Sequence, residues 1–465
     1  MRLVVVGGGV SGLAAAHRAT ELARERGIAL DLTLLEGAER LGGIVHTERR
    51  DGFLIEGGAD SFISEKPWAL ALCRRLGVED RLVRTDDRYR SAFVVYGGRL
   101  HALPEGFQMM APTRLAPLLA SPLFSWPGKA RMALDLVLPR GGDPDESLGA
   151  FVRRRLGREA LERVAQPLIG GIYTADPDSL SLAATMPRFL EMERRDRSVI
   201  LAMRRAARRE PDVARGASGA RWSLFITFAA GMEEFVHAIA RRLPPASVRL
   251  KERVAAVERR GEGWRLVTAD GAVLETDALV MAAEAHQAAR LLRHLDPGLG
   301  HLLEGISYAS SATVTLGYRR ADIAHPLDGF GFVVPQVERR PIIACTFSSV
   351  KYPGRAPENM ALLRVFVGGA LNEAAVEADD AALIATARGQ LAELLGARGE
   401  PVLVRVARYV KAMPQYQVGH LARVEAIESS VRRLRGLALA GAAYRGVGIS
   451  DCVLSGEAAA ETLLA

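Results

Sequence analysis

The residues best placed to do chemistry in this chain are glycines and one acid near its start. Gly7-Gly8-Gly9-Val10-Ser11-Gly12 spells GxGxxG directly after the apolar run Leu3–Val6. A second apolar run, about Leu30 to Leu35, ends on Glu36. A nucleotide diphosphate needs a turn that brings backbone close to its phosphates. Gly7 permits the tight strand-to-helix turn, Gly9 the close approach to a pyrophosphate, and Gly12 close packing of helix on strand. Val10 and Ser11 open the helix, whose free N–H groups and partial positive charge suit phosphate. Glu36 stands where an acid hydrogen-bonds a ribose 2′-OH and rejects a 2′-phosphate. A lone GxGxxG is weak, because a glycine turn needs no ligand. Strand, helix, second strand and terminal acid in this order make it a dinucleotide site.

Those residues require a particular frame. Leu3–Val6 has the unbroken apolar pattern of a parallel strand buried on both faces, and an Ala-rich helix follows to about Arg26. A helix is expected from Pro67 to Gly77 and a hairpin around Gly97-Gly98. Nucleotide-domain patterning returns at Gly231, with a strand around Val254, a hairpin through Asp270-Gly271 and a strand over Asp277 to Ala282. Residues 306–420 alternate like strands, and the chain closes with strand Leu437–Ala440, Gly441 and a helix from about Val447. The fold class expected is α/β and α+β: a Rossmann-type nucleotide domain (1–88, 223–292 and 430–465), a mixed-sheet substrate domain (89–104, 169–222 and 293–429) and a helical lobe (105–168). In the lobe, Leu115, Leu119, Leu123, Phe124 and Trp126 suit an ordinary helical core, or a guard over an apolar substrate that touches a membrane surface.

Composition narrows the class further. The chain has 465 residues, 49% hydrophobic and 25% charged, which fits a multi-domain globular enzyme. Cys73, Cys345 and Cys452 are far apart, which gives neither a metal-ligand spacing nor a disulfide framework and suits a reducing cytoplasm. Met1 leads straight into a strand, so no secretory signal is expected. The net charge of +7 leaves room for a peripheral contact with the inner face of a cell membrane. The arginine clusters read as solvated helix faces, and without a zinc finger or an aromatic-interleaved basic stripe no nucleic-acid partner is expected.

Past the ribose acid comes Arg40-Leu41-Gly42-Gly43, which resembles the signature of the large FAD family of amine oxidases, phytoene desaturases and porphyrinogen oxidases. The resemblance implies FAD, with Arg40, Gly42 and Gly43 along the pyrophosphate and flavin. It also sets Gly57, Gly58, Ala59 and Asp60, in GFLIEGGADS, against the flavin ring. Val254 would offer its backbone to adenine, and Tyr409 joins the cofactor set. No second GxGxxG is present for a nicotinamide nucleotide. The C-terminal stretch AGAAYRGVGISDC, Ala440 to Cys452, resembles the flavin-contacting end of protoporphyrinogen and coproporphyrinogen oxidases. There Gly441 and the N–H groups near Val447, Gly448 and Ile449 would face the flavin's pyrimidine oxygens. Pro167–Leu182 (PLIGGIYTADPDSLSL), GFGFVVP, ACTFS and MPQYQVGH extend the likeness along nearly the whole chain, the last two towards the bacterial coproporphyrinogen branch.

This resemblance implies a six-electron oxidation of a porphyrinogen to a porphyrin in haem synthesis, with oxygen as acceptor and hydrogen peroxide as by-product. Coproporphyrinogen III is favoured over protoporphyrinogen IX, and haem-pathway enzymes are implied partners. The flavin carries the chemistry, so no catalytic side chain and no metal are assigned. Lys66 is the basic partner expected for a propionate. Gly170 and Gly171 either let a carbonyl approach the macrocycle or form a plain loop, and Phe332 and Phe347 are pocket walls or core. An amine or carotenoid oxidoreductase and a non-enzymatic carrier are the alternatives. Ala442 in place of the amine oxidases' Glu argues against the first, and the intact glycine loops argue against the second.

Overall fold

A computed structural model describes residues 1–86, 88–89, 91–108, 110–209 and 225–465; the boundary expected between 222 and 223 lies outside them. β1 (Arg2–Val6), α1 (Val10–Arg26) and β2 (Asp31–Glu36) follow one another as the apolar runs require. α1 ends where Gly27 adopts a left-handed φ of 67°, a conformation that costs glycine least. The hairpin of β3 (Thr47–Arg50) and β4 (Phe53–Glu56) leads to α2 (Pro67–Leu76), which has Pro at its first turn. β5 (Phe93–Tyr96) and β6 (Arg99–Ala102) pair through Gly97 and Gly98, both at positive φ as a tight hairpin turn demands. A run of helices follows, including α3 (Gln166–Tyr173).

The chain then returns with β7 (Val248–Leu250), a three-stranded meander of β8 (Val254–Arg260), β9 (Gly263–Thr268) and β10 (Val273–Thr276), and β11 (Ala278–Met281). β12 (Tyr308–Arg319), β13 (Gly331–Val333), β14 (Ala344–Phe347), β15 (Met360–Gly368), α4 (Asp380–Leu395) and β16 (Leu403–Pro414) come next. β17 (Leu437–Leu439) and α5 (Ile449–Leu464) close the chain.

Two sheets carry the architecture. The parallel sheet β7-β2-β1-β11-β17 gathers strands from both ends of the chain and its middle. α1 and α5 pack on one face of it so closely that a Cβ on Gly456 would lie 2.1 Å from the Ser11 carbonyl oxygen. The second sheet, β16-β12-β15-β14-β13-β5-β6, is mixed, with β5 and β13 parallel. The helical region has an apolar core of its own, from Phe107 through Phe151 and Phe189 to Met203. Inside it Arg155 is fully buried, donating to Asp135, to Glu193 and to the Arg197 carbonyl. Such a charge is tolerable only when paired and hydrogen-bonded throughout. Among the described residues no helix is long and apolar enough to cross a membrane.

Candidate functional site: a dinucleotide cradle facing a sheet

The two glycine turns meet at the end of β1. Gly42 N donates to Gly8 O at 2.8 Å, and Gly43 lies against Gly9. Gly7 (φ 106°) backs onto the Ala282 carbonyl, where a Cβ would stand 2.5 Å away, and a Cβ on Gly12 would meet Gly7 O at 1.9 Å. Gly9 differs: a Cβ there would meet nothing within 4 Å. The turn is therefore pressed tight behind and open in front. α1 has neither a side-chain cap nor an acid in its first turn, so the end formed by Gly9, Val10 and Ser11 keeps its capacity for an anion. Glu36 sits at the tip of β2, its carboxylate accepting from Gly8 N and Ala38 N at 2.7 Å each. Arg40 spends its guanidinium on the carbonyls of Leu41, Gly43 and Val45, and so shapes the second glycine turn. Val254 opens β8 opposite Thr268, and the residue before it touches Gly37 just past the acid.

A second group of loops converges beside the cradle. Gly58 has no room for a side chain, since a Cβ would come within 1.8 Å of Ile44 O. The carbonyls of Gly57 and Gly58 both accept from Arg364, at 2.9 and 2.7 Å. Ala59 is half-buried against the nucleotide-domain core. Asp60 pairs with the buried Lys351 at 2.8 Å and accepts from the Ser61 hydroxyl. Burial would raise the Asp60 carboxyl, but the Lys351 ammonium outweighs it and holds the pKa at about 2. Opposite, Gly441 and Gly446 take φ of 140° and 149°, and Gly448 caps α5 with its N–H on Asp451. Val447 packs on the helical core, and Ile449 is buried as the first residue of α5.

The sheet supplies the remaining wall, and its register says which residues face the loops. Directly paired residues share a face. Arg364 is opposite Thr346 and Thr315, Phe366 opposite Ala344 and Thr313, and Val333 opposite Ala344 and Val94. Arg364 reaches Gly57 and Gly58, so this face looks onto the cradle. Tyr409 lies on it too, opposite Ser311, in line with Arg405, which binds Glu48 on β3.

Phe332 and Phe347 belong to the other phase. Their rings are 2% and 0% exposed, pack edge to face, and join the core beneath α4 with Leu383 and Leu391. As pocket walls they are thus corrected to core residues: strand alternation turns them away from the open face. Two further readings change. Gly170 and Gly171 lie within α3 and not in a loop, Gly171 facing Val333 and Gly170 facing Ile343. Lys66 is not a free cation, because its ammonium binds both Asp451 oxygens at 2.7 Å.

Residues 10–464 match the family model described as flavin containing amine oxidoreductase. The chain belongs to that family. A coproporphyrinogen III oxidase of Bacillus subtilis (strain 168) is 35% identical over 464 residues, 99% of this chain and 97% of that one. A protoporphyrinogen oxidase of Bos taurus is 31% identical, covering 99% of this chain and 98% of that one. A solved protein of Exiguobacterium sp. 255-15, provisionally called a protoporphyrinogen oxidase, aligns over 100% of this chain and 98% of its own with 33% identity and a TM-score of 0.89.

FAD is the cofactor of this flavin family member, and the cradle has the donors for it. The open face of Gly9 admits a pyrophosphate, and Glu36 has the chemistry for a ribose hydroxyl. Several contributors escaped the sequence reading. Arg364 could have been suspected as a lone charge in the apolar strand ALLRVFVG, since buried arginines are always paired. Lys351 and Phe366 gave no local signal. Thr346, Tyr416 and His420 stood in stretches noted only for their likeness.

Proposed function

We propose that this flavoprotein oxidises a porphyrinogen to its porphyrin, with coproporphyrinogen III favoured. Oxygen is the electron acceptor: three O2 become three H2O2 as six electrons and six protons leave the macrocycle. FAD, when bound, takes these electrons two at a time. The chain's own task is to hold a flat, apolar ring system against the cofactor and exclude water. The observation that carries the reading is the placement of two likenesses side by side. The MPQYQVGH segment, of the coproporphyrinogen branch type, hydrogen-bonds the AGAAYRGVG loop through Tyr416. Val333, Ala344 and Phe366 form the apolar part of the wall opposite, with Thr346 beside them, Tyr409 in the cofactor set and Gly171 at the edge.

The helical lobe (105–168) acts as a guard at the substrate side, between the nucleotide domain and the mixed-sheet substrate domain. The same lobe is the site for peripheral attachment to a membrane's inner face. Leu115, Leu119, Trp126, Leu134, Leu136 and Val137 are all exposed on it, with Arg114 and Arg140 beside them. Other haem-pathway enzymes are the proposed partners for handing on the product.

Anaerobically reduced tetra- and dipropionate porphyrinogens, mixed with the yellow holoenzyme in air, test the function. The tetrapropionate should become fluorescent porphyrin faster, with oxygen uptake. A faster dipropionate would reverse the preference, and no reaction with either would reject the activity.

A further inference from the structure

The segment Gln415–His420 lies between the flavin-side loop and the substrate-side helix, and it bonds to both. Its Tyr416 hydroxyl donates to Ala442 O at 2.6 Å and accepts from Gly446 N at 2.7 Å. His420 stacks on the Tyr416 ring, 3.9 Å between centroids and 12° from parallel. The Tyr444 carbonyl lies 2.8 Å from His420 Nε2 and can only accept, so that nitrogen carries the proton. Burial lowers the His420 pKa and raises that of Tyr416, so both rings are neutral near pH 7. Three bonds from two stacked rings thus fix the peptides at 442, 444 and 446.

The same segment is anchored at its back. Gln415 Nε2 donates to Tyr173 O at the end of α3, and Ser181 N donates to Tyr416 O. Val418 N donates to Ser179 O, and Gly419 N to the Asp145 carboxylate. These anchors lie in the helical region and in the helix that carries Gly171. The loop that Tyr416 braces runs directly into the N-terminus of α5, whose first N–H groups follow Gly448.

From this geometry we infer that Tyr416 is a positioning residue, which orients the Gly441–Gly448 peptides and the α5 N-terminus towards reduced FAD. Negative charge gained on reduction is stabilised by oriented N–H dipoles, and orientation is what the hydroxyl fixes. Tyr416→Phe keeps the ring stack and removes only the hydroxyl. Ala442 O and Gly446 N then lose their partner, and the loop relaxes.

The experiment is the two-electron midpoint potential of the purified holoenzyme, read by anaerobic reductive titration of the flavin absorbance. Tyr416→Phe should favour oxidised flavin about tenfold more than wild type, a shift of about −30 mV. The kcat should fall severalfold while KM for the porphyrinogen stays within about twofold. The potential is measured without substrate, so failure of the proposed activity leaves this readout intact. A potential and visible spectrum equal to wild type would overturn the inference. If the Phe variant does not retain FAD, His420→Phe is measured instead, which keeps an aromatic ring on Tyr416 and removes only the bond to Tyr444 O in the same loop. The potential must then fall below wild type, and an unchanged value overturns the inference equally.

Discussion

Gly9 and Gly12 are three residues apart in one motif, yet a methyl group added to each should act on different states of the protein. At Gly12 the new carbon would stand 1.9 Å from the Gly7 carbonyl oxygen, less than two-thirds of a normal contact. That oxygen is backbone in the tight turn and cannot swing aside. α1 would have to lift off β1, while Gly456 holds its other side against α5. Overpacking of this kind costs about 1–3 kcal/mol or more, felt by the apoprotein itself. At Gly9 the backbone is extended (φ −69°, ψ 179°) and a Cβ meets no atom within 4 Å. Gly9→Ala should therefore leave apoprotein stability within about 0.5 kcal/mol of wild type. The methyl would instead occupy the open space proposed for the pyrophosphate. Losing one hydrogen bond to a charged phosphate costs about 1.5–3 kcal/mol, which weakens FAD roughly 10- to 150-fold. Thermal unfolding of the apoproteins and titration by FAD fluorescence quenching separate the two effects. Gly9→Ala with wild-type FAD affinity would refute the assignment of that open face to the phosphates.

Three further outcomes follow from the site. Asp60 has a folded pKa of about 2 against 3.8 for the free side chain, so its pairing with Lys351 stabilises the protein above pH 4 and is lost as pH falls towards 2. Asp60→Asn should lose about 2 kcal/mol at neutral pH and show a flatter stability profile in that acid window, measured by flavin release against pH. Phe332→Ala should cost about 3–5 kcal/mol of stability as a cavity beneath α4, whereas Phe366→Ala should cost less stability and raise KM; equal effects from both would contradict the two-faced sheet. Trp126→Asp, at a side chain 71% exposed, should leave the solution fold and turnover intact but reduce co-sedimentation with anionic vesicles severalfold. Unchanged sedimentation removes the lobe as the membrane contact.

What could be read in the sequence was contiguous. The strand, glycine turn, helix and Glu36 lie within three dozen residues, and each local preference points to the same structure. What could not be read depended on pairing across the chain. Phe332 and Phe347 are aromatic residues in strands, but which face they occupy is set by register, and one step of phase exchanges wall for core. Lys66 looked like an unpaired cation because Asp451 is 385 residues away in sequence. Arg364 stood out as a charge in an apolar strand, but its acceptors could not be read, because they lie 306 and 307 residues earlier. Gly170 and Gly171 suggested a loop by composition, but buried packing on Leu168 and Ile169 keeps α3 helical through them.

The Arg364 clamp also bears on how such a protein could be rebuilt. One guanidinium from the middle of the mixed seven-stranded sheet closes the turn that is expected to lie against the flavin ring. That turn and the mixed sheet are therefore not exchangeable modules, although separate stretches of chain supply them. A transplant of a different mixed sheet onto the parallel-sheet half would have to bring a cation to the same place. Without it, two inward carbonyls would be left without donors, and the scaffold would lose its cofactor geometry before its new specificity could be seen. Recombination within this family should respect that boundary, drawing crossover points that keep Gly57–Gly58 and Arg364 from the same parent.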